Sequence, residues 1–179
     1  MFPSSFALDI ANDFIARITS ACDRIEIVGS LRRQKIGVND IDLLVIPRFL
    51  QMEDETLFGG PYQENQLDKV LSQLCLSRDL ELDANGSKIK RFLKTVDGDT
   101  VPIDLYIGTV QTWWTLLLIR TGSRQHNIKL ARRAMELQMH LKADGSGLLT
   151  ANGSIITVCS EEEIFQRLKF EYRPPEERD

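Results

Sequence analysis

Between Arg24 and Pro47 the chain reads as a strand, a glycine turn and a second strand, and the second strand opens on two carboxylates. Arg24-Ile-Glu-Ile-Val28 alternates and then turns wholly apolar before Gly29-Ser30, the pattern of a buried strand that breaks into a turn. Ile41, Leu43, Leu44, Val45 and Ile46 form a second β-prone run closed by Pro47. Asp40 and Asp42 stand two apart at its start, and the strand period of two puts both carboxylates on one face of a sheet.

A third aspartate, Asp104, lies in another apolar strand, Val101-Pro-Ile-Asp-Leu-Tyr-Ile107. If the two strands were neighbours, three carboxylates would crowd together, and each close pair would cost about 4 kcal/mol at an effective dielectric of about 20. A divalent cation removes that cost. A few hard oxygen ligands, with coordination left over for phosphate and water, describe a Mg²⁺ site for phosphoryl transfer. Gly29-Ser30 adds backbone N–H groups and a hydroxyl where a helix would begin, a favourable place for phosphate, and Arg32 and Arg33 follow within one turn. Cation site and anion cradle fall within the fourteen residues from Gly29 to Asp42.

The remaining pattern is α+β. Phe6, Ile10, Phe14, Ile18 and Ala21 recur at helical spacing, with Ser4 or Ser5 as N-cap. Phe49 to Gln66 is polar and aperiodic and carries Gly59-Gly60-Pro61, so a surface loop is expected. Leu67, Val70, Leu71 and Leu74 mark a helix. Ile89–Val96 and Thr100–Ile107 read as strands joined by an Asp97-Gly98-Asp99 hairpin turn. From Thr112 the texture becomes helical, with Trp113 and Trp114 as helix core, and Thr121-Gly122-Ser123 ends one helix and caps the next. The helix from about Arg124 to Gln138 groups Ile128, Ala131 and Met135 on one face, and His126 and His140 read as ordinary helix residues. A Thr150–Val158 hairpin and a Ser160-Glu-Glu-Glu capping box before a short helix close the sequence.

Composition limits the function classes. At 179 residues and 42% hydrophobic the chain can bury a core for one domain or two small ones. MFPSSFALDI lacks the basic start and long apolar stretch of a signal peptide, and no run of about eighteen apolar residues occurs, so a cytoplasmic protein, neither secreted nor membrane-bound, is expected. Cys22, Cys75 and Cys159 lie far apart among apolar neighbours and read as buried thiols, not as a disulfide or zinc framework. The net charge of −4 alone argues against a nucleic-acid partner. Its distribution does not: no acidic residue lies between Asp104 and Glu136, where Arg120, Arg124, Lys129, Arg132 and Arg133 are found, and Lys88, Lys90, Arg91 and Lys94 precede that stretch.

Gly29-Ser-Leu-Arg-Arg-Gln-Lys-Ile-Gly-Val-Asn-Asp-Ile-Asp42 resembles the signature of the family X DNA polymerases, relatives of DNA polymerase beta. Val101 to Tyr106 resembles the strand with that family's third carboxylate, Thr121-Gly-Ser-Arg-Gln-His-Asn127 its nucleotide-pocket turn, and Glu161 to Arg178 its closing segment. The resemblance implies a nucleotidyltransferase palm over residues 1–108, a mainly antiparallel or mixed sheet with flanking helices, followed by a small α+β thumb over 109–179. It implies a magnesium-dependent DNA polymerase that adds dNMP to a primer 3′-hydroxyl through two Mg²⁺ ions, with Mn²⁺ able to substitute, filling short gaps in DNA repair. Asp40 and Asp42 would bridge both ions and Asp104 would ligate the catalytic one. Gly29, Ser30, Arg33, Gly122, Ser123 and Asn127 would bind the nucleoside triphosphate, with Arg32 a weaker candidate. Arg124, Lys129, Arg132 and Arg133 would contact primer-template or gapped DNA, the protein acting as a monomer. With one helix ahead of the catalytic strands the sequence resembles minimal viral members, and no lyase activity is expected.

Three departures from the family pattern stand out: Asn39 replaces a common glycine, Ile119 and Arg120 replace an aromatic pair that helps exclude ribonucleotides, and Ala131 replaces an arginine of some eukaryotic relatives. The alternatives are a nucleotidyltransferase that works without a template or on another acceptor, such as RNA, a single strand or a protein, and a DNA-binding module without activity.

Overall fold

The two strands that flank the glycine turn pair with each other and seed a larger sheet. The computed structural model describes residues 1–53 and 60–179. In chain order it contains β1 (Phe2–Pro3), α1 (Ser4–Ile18), β2 (Cys22–Ile27), the short α2 (Gly29–Arg32), β3 (Gly37–Val38), β4 (Ile41–Pro47), β5 (Phe49–Met52), β6 (Tyr62–Asn65) and α3 (Gln66–Leu76). There follow β7 (Glu81–Asn85), β8 (Ile89–Val96), β9 (Asp99–Ile107), α4 (Trp113–Thr121), α5 (Arg124–Glu136), β10 (Met139–Leu141), β11 (Leu148–Thr150), β12 (Ile155–Ile156) and α6 (Glu161–Arg167).

Five strands form the main sheet in the order β2-β4-β9-β8-β7. All its pairings are antiparallel except β4 with β9, which run parallel with Asp42 opposite Asp104. The α+β class with a mixed sheet and flanking helices therefore holds. One face carries Ile41, Leu43 and Val45 of β4 and Ile103 and Leu105 of β9, all fully buried against Ala7, Ile10 and Phe14 of α1 and Leu67 and Leu71 of α3. Neighbouring residues on each strand point the other way, and the end of that second face is covered by Trp113, Leu116 and Leu117 of α4 around Val28 and Leu44. The Arg24 guanidinium sits 4.3 Å from the Trp113 ring centre and 4.6 Å from that of Trp114, a cation–π contact that seals this edge.

A separate apolar cluster supports the C-terminal part: Leu118, Leu130, Ala134, Leu148, Ile164, Phe165 and Leu168 interdigitate between α4, α5, α6 and the three-stranded sheet β10-β11-β12. A buried ion triad ties this part to α2. Glu161 accepts from Arg32 Nη2 at 2.6 Å and from Arg178 Nη1 at 2.6 Å, and Arg32 Nη1 also donates to Thr121 Oγ1 at 2.6 Å. Arg178 is fully buried, so its charge depends on this partner. Among the described residues no helix is long and apolar enough to cross a membrane.

Several sequence expectations need correction. The stretch from Phe49 to Gln66 contains the antiparallel pair β5–β6 and the start of α3, and only part of it is loop; residues 54–59, including Gly59, lie outside the described residues. All of β5 and the first half of β6 are exposed, so no apolar alternation betrays them. Ser4 does not cap α1: its hydroxyl donates to the Lys35 carbonyl and its N–H to the Ile36 carbonyl, because β1 and β3 pair and draw this loop against the helix start. On α5 the buried residues are His126, Leu130 and Ala134, while Met135 is exposed, and Ile128 and Ala131 turn to a cleft. His140 lies in β10. Of the three thiols only Cys22 is buried, where desolvation raises its pKa to about 12; Cys75 is half-buried and Cys159 exposed.

Candidate active site

The three aspartates come together because a parallel pairing places two of them side by side. Asp42 on β4 and Asp104 on β9 are register partners, and Asp40 precedes them by one strand period. One carboxylate oxygen from each of Asp40, Asp42 and Asp104 lies within 4.8 Å of the others. Asp104 is buried, while Asp40 and Asp42 are half-buried.

The electrostatic strain of that crowding shows in protonation. Asp42 is raised to about 7, chiefly by burial and then by the charges of Asp40 and Asp104. Asp40 is raised too, by burial and by Asp104. The Tyr106 hydroxyl donates to Asp42 Oδ1 at 3.3 Å, and its own pKa is pushed up by burial and by the Asp42 charge. Arg91 on β8 grips Asp104 with both arms of its guanidinium, Nε to Oδ1 at 2.5 Å and Nη2 to Oδ2 at 2.7 Å.

Gly29 makes room for this arrangement. Its φ is +62°, a conformation that favours glycine, and a Cβ there would lie 1.9 Å from Asp42 Oδ2. The β2–α2 turn is thus pressed against the carboxylates with no space for a side chain.

A cleft of about 670 Å³ opens beside Asp40 and Asp42. One wall is Gly29, Ser30 and Arg33; the other comes from Ile119, Arg120, Gly122, Arg124, Asn127, Ile128 and Ala131. Of the residues expected to bind a nucleotide, Gly29, Ser30, Arg33, Gly122 and Asn127 all line it. The Arg33 Nη1 also donates to the Thr121 carbonyl, which bridges the two walls. Gly122 keeps the turn close to that guanidinium, since a Cβ there would sit 3.1 Å from Arg33 Nη1. Asn127 Nδ2 donates to the Ile119 carbonyl at 2.8 Å, which fixes the amide plane.

Other expected residues sit elsewhere. Ser123 does not line the cleft; it caps α5, its hydroxyl accepting from His126 N–H at 3.2 Å. Arg32 turns away to Glu161. Among the expected DNA contacts, Arg124 lines the cleft and Arg132 is exposed, whereas Lys129 donates to the Asp179 carbonyl at 3.2 Å and Arg133 to the Leu168 carbonyl at 2.9 Å. Arg133 is held by these C-terminal contacts, with Glu136 as a second partner at 2.9 Å, and is not among the residues that line the cleft. Sequence reasoning assigned no role to Tyr106, to Arg91 beyond a basic stretch, or to Glu161 beyond a helix cap.

The sequence profile described as DNA polymerase beta thumb matches residues 116–179. Residues 116–179 are similar to a DNA polymerase beta thumb. The whole chain has the polymerase beta fold: it superposes on Leishmania infantum polymerase beta in a ternary P/T complex with a TM-score of 0.80 at 19% identity, covering 99% of this chain and 76% of that one. It superposes equally on the same protein in a ternary gap complex, with a TM-score of 0.80 at 18% identity, covering 99% of this chain and 70% of that one. A comparison with curated protein sequences returns no match. In this chain the segment 116–179 supplies one wall of the cleft, which opens beside Asp40 and Asp42 at the head of β4.

Proposed function

We propose that this chain is a template-directed DNA polymerase that adds a deoxynucleotide to a primer 3′-hydroxyl, suited to filling short gaps, with residues 1–108 as palm and 109–179 as thumb. The observation that carries this reading is the cluster of Asp40, Asp42 and Asp104, with ligand atoms within 4.8 Å, whose Asp40 and Asp42 line a cleft walled by Gly29, Ser30 and Arg33. The polymerase beta fold adds the thumb wall, and the fold's Leishmania infantum representatives were seen in P/T and gap complexes.

The site fits divalent metal on its own chemistry. Three hard oxygen donors converge, and Asp42 retains its proton to about pH 7 when no cation offsets its neighbours. Bound Mg²⁺, or Mn²⁺ in its place, supplies Lewis-acid activation of the attacking hydroxyl and neutralises the departing pyrophosphate. Asp40 and Asp42 would hold both ions, and Asp104 would hold the catalytic one. Ser30 and the Gly29 turn cradle phosphate oxygens, and Arg33 adds a fixed positive charge. Gly122 lets the sugar approach the backbone, and Asn127 presents its amide to the base edge. Arg124, Lys129 and Arg132 attract the DNA backbone without regard to sequence.

The deciding experiment supplies a one-nucleotide gap, an open primer-template and a single strand, each with Mg²⁺ and with dNTP or rNTP separately. Extension of the two templated substrates by the complementary dNTP is expected. Labelling of the single strand at the same rate as the gap sinks this reading in favour of template-independent transfer.

A further inference from the structure

Strand β8 delivers a cation directly onto the carboxylate cluster. Arg91 lies opposite Asp104 in the β8–β9 pairing, and the two arms of its guanidinium occupy both oxygens of Asp104. Among the described residues that guanidinium makes no other hydrogen bond. The two partners are unequal in setting: the Asp104 side chain is 5% exposed, that of Arg91 46%. The carboxylate is therefore fixed in the sheet while the arginine stands on the open face, free to swing. Ala84 of β7 pairs with Arg91 on the other side of β8, and Asp83 just before it adds a smaller favourable charge.

We propose that Arg91 is a built-in counterion for Asp104 that the catalytic ion must displace, so that Arg91 sets the divalent-ion concentration at which the site fills. The inference rests on the reading of Asp104 as a metal ligand. Three carboxylates this close repel one another, and the guanidinium holds the most buried of them in place until a metal arrives. A diffuse monovalent charge on a half-exposed stem is a weak competitor for a hard divalent ion, since ion pairs open to solvent contribute little. It holds the ligand in place without blocking it permanently. Arg91 is a positioning residue here, because it acts through Asp104 and not on substrate.

Mn²⁺ binding to the full, DNA-free chain, read by the paramagnetic resonance signal of free Mn²⁺, tests this without any turnover. R91M is expected to bind Mn²⁺ about threefold to tenfold more tightly than wild type, from the loss of a bidentate charged pair. R91Q removes the same charge with a polar stem end and is expected to tighten binding similarly, which guards against a folding defect in either variant. In a D104N background, R91M is expected to change nothing. Equal or weaker binding by both R91M and R91Q, with binding still reduced by D104N, overturns the counterion role and leaves the metal site standing. Binding indifferent to D104N in every background overturns both.

Discussion

Asp42 and Asp104 face each other across the one parallel pairing in a sheet that is otherwise antiparallel. Because β4 and β9 run the same way, their apolar residues bury together on one face while the two carboxylates emerge together on the other. The packing that builds the core therefore also forces the like charges into contact, and the site is loaded before any ligand arrives.

Gly29 tests how tightly the phosphate turn is fitted to that pair. A methyl group at Gly29 would collide with Asp42 Oδ2, and the positive φ adds about 1 kcal/mol of backbone cost. Gly29→Ala is expected to lower primer extension by about a hundredfold, the scale of a misplacement near 1 Å, while the core away from the turn stays folded. Extension rates beside a thermal melt check this; near-normal extension would mean that the turn has slack.

The raised pKa of Asp42 predicts opposite pH trends for metal binding and for apo stability. Asp42 in the folded, metal-free chain titrates near 7, above the ordinary value of 3.8. Between those two pH values the unfolded chain has lost the proton that the folded chain keeps, so metal-free stability falls as pH rises through that window and levels above 7. Metal must displace the proton, so Mn²⁺ affinity is expected to climb by up to about tenfold per pH unit below 7 and then flatten. Calorimetric titration from pH 5.5 to 8 reads the second trend and urea unfolding with chelator the first.

Glu161 holds two arginines that pair with no other carboxylate among the described residues, Arg32 of α2 and Arg178 near the C-terminal end. Removing its charge leaves Arg178 buried with an unpaired cation. Glu161→Gln is expected to cost about 3 kcal/mol of stability, at the lower end for a broken buried pair, and to loosen the C-terminal part from α2. Urea denaturation reads the loss; a change under about 0.5 kcal/mol would show that the triad is replaceable.

His126 makes the C-terminal part acid-sensitive. Its ring is buried 5.6 Å from the ring of Phe165, and burial, followed by the nearby charges of Arg178, Arg173 and Lys129, lowers its pKa to about 4. The unfolded chain takes up a proton below about 6.5 that the folded chain refuses, so stability is lost as pH falls from there toward 4, on the order of 3 kcal/mol in all. His126→Phe is expected to flatten this loss in a denaturation series from pH 7 to 4.5.

Much of the site was legible because strand period and turn chemistry are local. The Asp-x-Asp at the head of an apolar run gave Asp40 and Asp42, and the second apolar run gave Asp104. That β4 and β9 are neighbours, and parallel, depends on a long crossover that no local pattern encodes. The Arg91–Asp104 pair could have been found: a two-residue turn at Asp97-Gly98 makes Val96 face Asp99, and counting back five residues on each strand brings Arg91 opposite Asp104. On α5 the apolar set Ile128, Ala131 and Met135 misled because hydrophobic residues line the cleft as well as the core. Glu161 was hidden by its own position, since an acidic residue at a helix start already has a local explanation.

The central claim is that the three aspartates run templated nucleotide addition. Its most direct test is single-turnover addition to a one-nucleotide gap, with each of the four dNTPs offered alone, in Mg²⁺, for wild type and for D104A. The account predicts addition of the complementary nucleotide only, abolished by chelator and reduced at least about a thousandfold in D104A. Addition that ignores the template base, or that survives D104A, would contradict it.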